Sequence, residues 1–415
     1  MDILYPCCAG LDVHKDTVVA CIRHLLPGRH KQATPQTRTF GTRTPQLLTL
    51  ADWLAAEGVS HVAMESTGVY WRPVWNLLED RFTILLVNAR HLKQVPGRKT
   101  DVKDSAWIAQ LLQHGLLRGS FVPPPFQREL RELTRQRRQL AMTRASVASR
   151  IQKVLEDANI KLAGVATDVL GKSGWAMLEA LIAGREDVAS IAEMARGRLR
   201  AKLPALREAL QGRVTSHHRF LLRGLLDQVA QLDALVERLT AEIERVLPEA
   251  YREARQRLRT IPGLDVHAAE CVLAEVGVDM GVFPTAGHLA SWAGMCPGQR
   301  ESAGKRRDGR ARHGNRWLRA ILVQAAWAAS HTKSTYLSAQ FRRLAGRRGR
   351  KRALLAVGHT LLTIIYHVLK AGASYRELGA DYLDRLDEQG ATRRLIRRLE
   401  QLGHKVTLSP MAECP

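Results

Sequence analysis

Apolar and polar positions follow two different periods along the first third of the chain. Short apolar runs rich in β-branched residues predict strands at 7–12, 17–22, 59–67 and 82–89, with a further candidate at 36–43. Helical spacing occupies the intervening and following segments, at 45–57, 68–80 and 99–112. Strands that alternate with helices predict an α/β domain, with a sheet covered on both faces or a mixed sheet with crossovers.

The spacing is helical beyond the prolines of FVPPPF (121–126), which interrupt any helix. Residues 127–161 are basic and helical, and 165–215 predict only short helices. The clearest period is an apolar seam with alternating steps of three and four: Leu222, Leu225, Val229, Leu232, Val236, Leu239, Ile243 and Val246. This seam predicts a coiled coil, formed either with a helix of another subunit or within the chain's own bundle.

The last third combines a turn between helices with dense positive charge. LRTIPGLDVHAAECVLAEVG (258–277) resembles a helix-hairpin-helix, whose turn can present backbone N–H groups to a phosphate. Basic residues crowd 300–352 with few acids beside them, which favours nucleic acid over a solvated face. We therefore expect an α/β domain at 1–124, a helical linker and coiled coil at 125–252, a mainly α domain at 253–375 and a partly helical tail at 376–415.

Overall composition also points to a polyanion. The 415 residues include 63 Lys and Arg against 40 Asp and Glu, a formal net charge of +23. Each phosphate that such a surface neutralises releases counterions, which favours binding to nucleic acid. A membrane surface is the rival partner, but no apolar run approaches the ~18 residues that a span requires, so we expect no membrane partner.

The cysteines and the N-terminus predict a cytoplasmic setting. No basic flank followed by an apolar signal segment opens the chain. The six cysteines form no CxxC pair and have no regular spacing, which predicts reduced thiols rather than a zinc site or a disulfide framework. They are Cys7, Cys8, Cys21, Cys271, Cys296 and Cys414.

Four acids stand at the ends of predicted α/β elements. Asp12 ends the first strand, Glu65 ends the strand HVAME, and Asp101 and Asp104 open a helix whose apolar stripe continues at Ile108. Acids on a core-facing stripe are costly unless something compensates their charge, and Mg²⁺ or Mn²⁺ prefers such oxygen ligands. Two such ions can flank a phosphoryl oxygen during in-line displacement. The alternative for Asp101 is a role in helix capping.

Three N-terminal segments and one C-terminal segment together resemble a known family. GLDVHKD (10–16), AMESTGVYWRPVWNLLE (63–79) and VNARHLKQVPGRKTDVKDSAWIAQLLQHGLL (87–117) are similar to the N-terminal domain of the DEDD transposases of bridge-RNA insertion sequences, the bridge recombinases. The stretch from IPGLDVHAAECVLAEVG to RHGNRWLRAIL resembles the second domain of that family. The resemblance implies a RuvC-like, RNase H-type N-terminal fold and a C-terminal domain that carries a catalytic serine.

Carried over position by position, the four acids of the family fall on Asp12, Glu65, Asp101 and Asp104, as catalytic metal ligands. The nucleophilic serine falls on Ser302, and here Ala303 separates it from the glycine that usually follows directly. The predicted nucleic-acid contacts are basic side chains in and near these segments: Lys99, Lys103, Arg135, Arg138, Lys305, Arg306, Arg307, Arg310, Arg312 and Arg316.

The resemblance implies recombination rather than simple hydrolysis. A bridge RNA pairs with donor and target DNA, and the protein cuts and rejoins strands through a covalent phosphoserine intermediate with Mg²⁺ or Mn²⁺. The family assembles as a tetramer of paired dimers in the cytoplasm of prokaryotes. Two other functions stay open: a metal-dependent nuclease of the Holliday-junction-resolvase type that uses water, and a non-catalytic RNA- or DNA-binding protein.

Overall fold

A computed structural model of the chain describes residues 3–25, 35–66, 68–88, 92, 104–296, 300–302, 305–308 and 314–408. They form two compact units, Met1–Pro123 and Pro124–Pro415. Among these residues, the first unit contains a mixed sheet with helices, and the second contains helices and a two-stranded antiparallel sheet. The expectation of an α/β first part followed by helical regions is therefore confirmed.

The sheet of the first unit has a strand at each of the four apolar runs and at the further candidate 36–43. Its strands are β1 (Cys7–Val13), β2 (Thr17–His24), β3 (Gln36–Gly41), β4 (His61–Glu65) and β5 (Thr83–Val87). The order across the sheet is β3-β2-β1-β4-β5. The β3-β2-β1 half is antiparallel, whereas β1, β4 and β5 are parallel. The central strands are almost wholly apolar because both of their faces are covered.

Three helices of this unit are described: α1 (Thr44–Ala56), α2 (Trp71–Leu78) and α3 (Asp104–Gln113). Alternate residues of β1 enter two separate cores, since neighbouring strand side chains point to opposite faces. Leu11 packs with α1 and α2, and Cys8 packs with α3. Trp71 and Trp75 lie partly buried against the first of these cores, with their rings 5.9 Å apart.

The second unit consists mainly of helices, whose bounds follow. They are α4 (Pro125–Asp157), α5 (Leu162–Val165), α6 (Lys172–Ile182), α7 (Val188–Glu193), α8 (Leu203–Ala209), α9 (Ser216–Val246), α10 (Glu249–Arg259), α11 (Val266–Val276), α12 (Ala286–Trp292), α13 (Arg316–Ser330), α14 (Tyr336–Arg348), α15 (Arg350–Ala371), α16 (Tyr382–Leu386) and α17 (Glu388–Gln401). Short 3₁₀ turns cover Gly197–Lys202 and Met280–Val282, and β6 (Arg300–Ser302) pairs with β7 (Lys305–Asp308). The short helices predicted for 165–215 are confirmed.

The predicted apolar seam of α9 is filled largely by the chain itself. Arg144 binds Asp233, and His218 binds Asp157 at 2.9 Å, so α4 and α9 run antiparallel side by side. The seam residues from Leu222 to Leu232 enter one core with the apolar face of α4 and the short helices. A partner helix from another subunit is therefore the wrong interpretation for this part of the seam, because α4 already covers it.

One helix corrects the expectation that no apolar run approaches the length of a membrane span. α15 has 22 residues and is long and apolar enough to cross a membrane by length and composition. Of its most apolar stretch, 44% is buried inside the protein, where Val357, Leu361 and Ile365 belong to the helical core. A core helix passes the same test, and α15 is packed as one.

Candidate active site

Two of the predicted acids lie at the carboxyl ends of neighbouring parallel strands: Glu65 is the last residue of β4, and Asp12 is one residue before the end of β1. Leu11 of β1 pairs with Met64 of β4, so the next residue of each strand, Asp12 and Glu65, lies at the same edge of the sheet. Neighbouring strands lie about 4.8 Å apart. Asp12 lies an even number of residues after Cys8 in β1, and Glu65 lies two residues after Ala63 in β4, so each acid is on the same face of the sheet as the earlier residue. Cys8 and Ala63 pack with α3 rather than with α1 and α2. Asp12 and Glu65 therefore share the face of the sheet that α3 covers.

The third acid reaches the same edge through the direction of α3. The C-terminal carbonyl of α3, on Gln113, accepts hydrogen bonds from the backbone of Leu4 and Tyr5, just before β1 begins. Farther along, a Cβ on Gly10 would stand 2.3 Å from the Ser105 carbonyl oxygen. α3 thus runs antiparallel to β1, and its first residue, the exposed Asp104, is directed toward the edge that holds Asp12.

Gly10 makes this arrangement possible because the helix backbone rests directly on the strand. The same added Cβ would also stand 2.3 Å from the Ala109 amide nitrogen. Both obstacles are backbone atoms, which have no alternative rotamer, so any side chain at this position pushes α3 away from β1. The glycine therefore sets the height of Asp104 above the sheet.

Asp12 has a polar neighbour two residues along the chain. The imidazole Nε2 of His14 lies 3.1 Å from Asp12 Oδ2, at the turn where the His14 amide donates to the Thr17 carbonyl. The Asp12 side chain is 24% exposed and that of His14 is 60% exposed. The Asp12 carboxylate is thus partly exposed to solvent, and the His14 imidazole is able to donate a hydrogen bond to it.

The donor set suits a hard divalent cation, since carboxylate oxygens are its preferred ligands. Within the described part of the chain, however, no group of three or more His, Cys, Asp or Glu is arranged closely enough to hold a metal ion. Asp101, the fourth predicted acid, lies outside the described residues, as do Lys99 and Lys103. Metal binding by the four acids stays a prediction.

The predicted nucleophile stands at a strand end in the second unit. Ser302 is the last residue of β6 and pairs with Lys305, the first residue of β7, in an antiparallel arrangement of the two strands. Arg306 and Arg307 continue along β7. Arg310 and Arg312 lie outside the described residues.

Two of the predicted nucleic-acid contacts, Arg135 and Arg316, have clear positions in the fold. Arg135 donates from Nε and Nη2 to both carboxylate oxygens of Glu275, at 2.7 and 2.8 Å, and lies over the Trp317 ring. This bidentate pair occupies donors that a phosphate contact requires. Arg316 is exposed beside the same ring.

Arg138 lines a small pocket with Arg135, Cys271 and Trp317. Burial raises the pKa of the Cys271 thiol, while Arg137 and Arg138 oppose that rise. The thiol is therefore protonated and inert at neutral pH.

Glu275 is a functional candidate that sequence reasoning missed. Its side chain is 2% exposed and accepts from Arg135 and from Asn315, whose Nδ2 is 2.6 Å from Oε2. Asn315 also caps α13 by accepting from the Trp317 and Leu318 amides. The only signal in the sequence is an acid within the apolar stretch CVLAEVG, and it does not identify its partners. Glu275 ties α4 and α11 to the start of α13, which lies within the basic segment 300–352.

A second buried acid, Glu270, lies five residues earlier on the same helix and forms a separate cluster. Glu270 Oε1 accepts from Arg255, and Arg137 Nη1 lies 2.8 Å from Glu270 Oε2. That second contact is an ion pair by distance only, because both Nη atoms of Arg137 lack an aligned acceptor among the described residues. The two clusters fix α11 between α4 and α10.

The predicted helix-hairpin-helix turn packs directly on α13. Gly263 has φ +89°, and a Cβ there would stand 2.3 Å from the Ala325 carbonyl oxygen in α13. The turn therefore needs glycine for close packing on α13 as well as for its backbone conformation. Asp265 caps α11 by accepting from the Ala268 amide, so a carboxylate already occupies this helix N-terminus, where a phosphate would bind.

Comparison with known proteins finds two segments of the chain that are similar to transposases. Residues 9–160 match the profile of the DEDD transposases of the IS110 type, described as "Transposase". Residues 255–342 match "Transposase IS116/IS110/IS902 family". Each of these two segments is thus similar to a transposase domain of IS110-type insertion elements, in the order N-terminal DEDD domain and C-terminal transposase domain.

Individual relatives agree with this assignment. The chain is 31% identical over 119 residues to the "Insertion element IS110 uncharacterized 43.6 kDa protein" of Streptomyces coelicolor, a match that covers 28% of this chain and 29% of that relative. It is 26% identical over 336 residues to the "Insertion element IS900 uncharacterized 42 kDa protein" of Mycobacterium paratuberculosis, covering 70% of this chain and 80% of that relative. The first match thus spans less than a third of its relative's length, and the second spans most of it.

Proposed function

We propose that the protein is an IS110-type transposase that cuts and rejoins DNA through a covalent phosphoserine on Ser302. Asp12, Glu65, Asp101 and Asp104 hold Mg²⁺ or Mn²⁺ in a RuvC-like N-terminal domain. A bridge RNA pairs with donor and target DNA, and two homodimers assemble into the active tetramer in the cytoplasm. The observation that supports this most is the placement of Asp12, Glu65 and Asp104 toward one edge of the sheet. The order β3-β2-β1-β4-β5, with one antiparallel and one parallel half, agrees with an RNase H-type sheet.

The chemistry divides between the two domains. Divalent cations, when bound, neutralise charge on the scissile phosphate and on the oxygen that leaves it. The Ser302 hydroxyl attacks phosphorus, so an Oγ–P bond forms as one P–O bond of the phosphodiester breaks. The hydroxyl proton is lost, and the departing deoxyribose oxygen takes up a proton. The number of phosphoester bonds is unchanged, so rejoining by the reverse step needs no ATP.

The basic residues next to the serine have a role in this proposal. Lys305, Arg306 and Arg307 follow Ser302 on the paired strand, where their positive charges favour approach of a phosphate backbone. The RNA supplies sequence specificity by base pairing, so the protein contacts mainly backbone and shape.

Paired serine variants test the proposal. Full-length protein is combined with Mg²⁺, plasmids that carry the element ends and a target, and RNA transcribed from the DNA that flanks the gene. Ser302→Ala is expected to abolish both the SDS-resistant protein–DNA adduct and the joined product. Ser291→Ala changes an exposed serine in α12 and should retain both.

Each other result selects a different function. Joined product from Ser302→Ala excludes serine chemistry. Cleavage without joining or adduct, lost in Asp12→Asn, identifies the metal-dependent nuclease. Nucleic-acid binding with no reaction, unchanged by alanine at Asp12 and Glu65, identifies the non-catalytic binding protein. Joining that proceeds equally without RNA removes the guide from the proposal.

A further inference from the structure

The sharp corner between α14 and α15 concentrates positive charge on the surface. Arg347 and Arg348 end α14, Gly349 turns the chain with φ +79°, and Arg350, Lys351 and Arg352 begin α15. All five cations are exposed. We call residues 347–352 the Gly349 corner. It lies beyond 342, where the C-terminal family match ends.

Two other arginines of the same basic stretch form contacts within the fold. Arg342 donates to the Ser338 carbonyl, and Arg343 donates to the Leu383 carbonyl and lies 3.9 Å from Asp384. By contrast, none of the five cations of the Gly349 corner forms an ion pair or a side-chain hydrogen bond within the parts of the chain that the structure describes. The described part of the fold makes no use of their charges.

Stability alone disfavours this arrangement. The N-terminus of a helix carries the positive end of the helix dipole, so cations there are unfavourable and acids are preferred. α15 places three cations in its first turn, with no acid and no side-chain cap. Five like charges also repel one another across the corner. A polyanion bound at the corner would offset both costs.

We propose that the Gly349 corner contacts the phosphate backbone of duplex DNA. This identity of the polyanion rests on the proposed function, for which DNA is the substrate. The stretch 342–352 contains no aromatic residue on which an unpaired base can stack, which favours a duplex over single-stranded RNA. Contact through charges alone anchors DNA without reading its sequence.

The test compares two triple variants of the full chain that lose the same charge. Arg350→Gln/Lys351→Gln/Arg352→Gln removes the α15 part of the corner. Arg223→Gln/Arg245→Gln/Arg257→Gln is the control, because each of those arginines is paired with an acid. Binding of a labelled 30-base-pair duplex is measured by anisotropy over a range of KCl concentrations, without divalent cations so that no cleavage occurs.

In the corner variant, the slope of log K against log[salt] should become less steep by about 2 to 3, because each lost phosphate contact changes the slope by about 0.9. The control should change that slope by less than about 1. The melting temperature of the corner variant should be no lower than that of the parent. An equal slope change in both triples, no change in either, or a lower melting temperature for the corner variant overturns the proposal.

The competing polyanions are separate arms of the same experiment. If the corner variant loses affinity for single-stranded RNA or for vesicles rich in anionic lipid, but not for duplex DNA, the proposal is wrong. The proposed function can fail independently. If the parent protein binds duplex DNA with a salt dependence that requires the corner, and yet forms no joined product, the proposed DNA contact stands and the recombinase function is wrong.

Discussion

Replacing Glu275 by glutamine tests whether its buried contacts hold the second unit together. Glu275→Gln keeps the shape of the side chain and removes its charge, which leaves Arg135 and Arg131 facing a neutral amide. Removing one partner of a buried ion pair typically costs about 3–5 kcal/mol, because the remaining charge is left uncompensated. The Arg135 and Arg131 side chains are 27% and 13% exposed, so water relieves part of this cost. We expect the free energy of unfolding to fall by about 3 kcal/mol.

The measurement is urea unfolding followed by circular dichroism at a helical wavelength, read in the transition of the helical unit. Glu253→Gln is the matched control, since Glu253 is 53% exposed and pairs with Arg257 one turn away. Such a pair contributes only about 0.3–0.5 kcal/mol. Hydrogen exchange at the Trp317 amide, which Asn315 caps, should accelerate in Glu275→Gln alone. A loss below about 1 kcal/mol, or one equal to the control, refutes the reasoning.

Three further predictions follow from packing and burial. Gly10→Ala should lower the free energy of unfolding by about 1–3 kcal/mol and impair any metal-dependent reaction, because α3 must move. Gly224→Ala is the control at an open helical position, and in the same urea assay it should raise the free energy of unfolding by about 0.4–1 kcal/mol. Leu222→Ala should cost about 2–5 kcal/mol independently of protein concentration, and a loss that shrinks as concentration rises would restore an inter-subunit seam. Burial raises the pKa of Cys8 to about 12, so iodoacetamide at pH 8 should label it only after unfolding, as read by mass spectrometry; equal labelling in the folded protein contradicts its burial.

The Cys8 shift also sets the sign of one pH effect. Its folded pKa is raised above the unfolded value, so its contribution to stability is complete below about pH 8.5. That contribution is lost as the pH rises toward 12, because the unfolded chain releases the proton first.

Local pattern determined much of the fold in advance. Apolar runs marked β1, β2, β4 and β5, because a buried strand must be apolar along its length whatever lies beside it, whereas the polar and largely exposed β3 was only a candidate. The acids near two strand ends were visible for the same reason: Glu65 stops the apolar run of β4, and Asp12 interrupts that of β1 one residue before the strand ends. The 3-4 spacing likewise identified the seam of α9 but not its partner, since every apolar helix face satisfies the same period.

Only the tertiary structure decided which of these elements lie against one another. The direction of α3 over Gly10, which brings Asp104 toward Asp12 and Glu65, depends on a backbone contact between residues about a hundred positions apart. The buried role of Glu275 depends on three helices and a cap that converge on one carboxylate. Periodicity reports the environment of each residue along its own element, whereas ion pairs and close backbone contacts are properties of two elements at once. For that reason the sequence by itself located the candidate acids, and the fold decided that three of them face one edge.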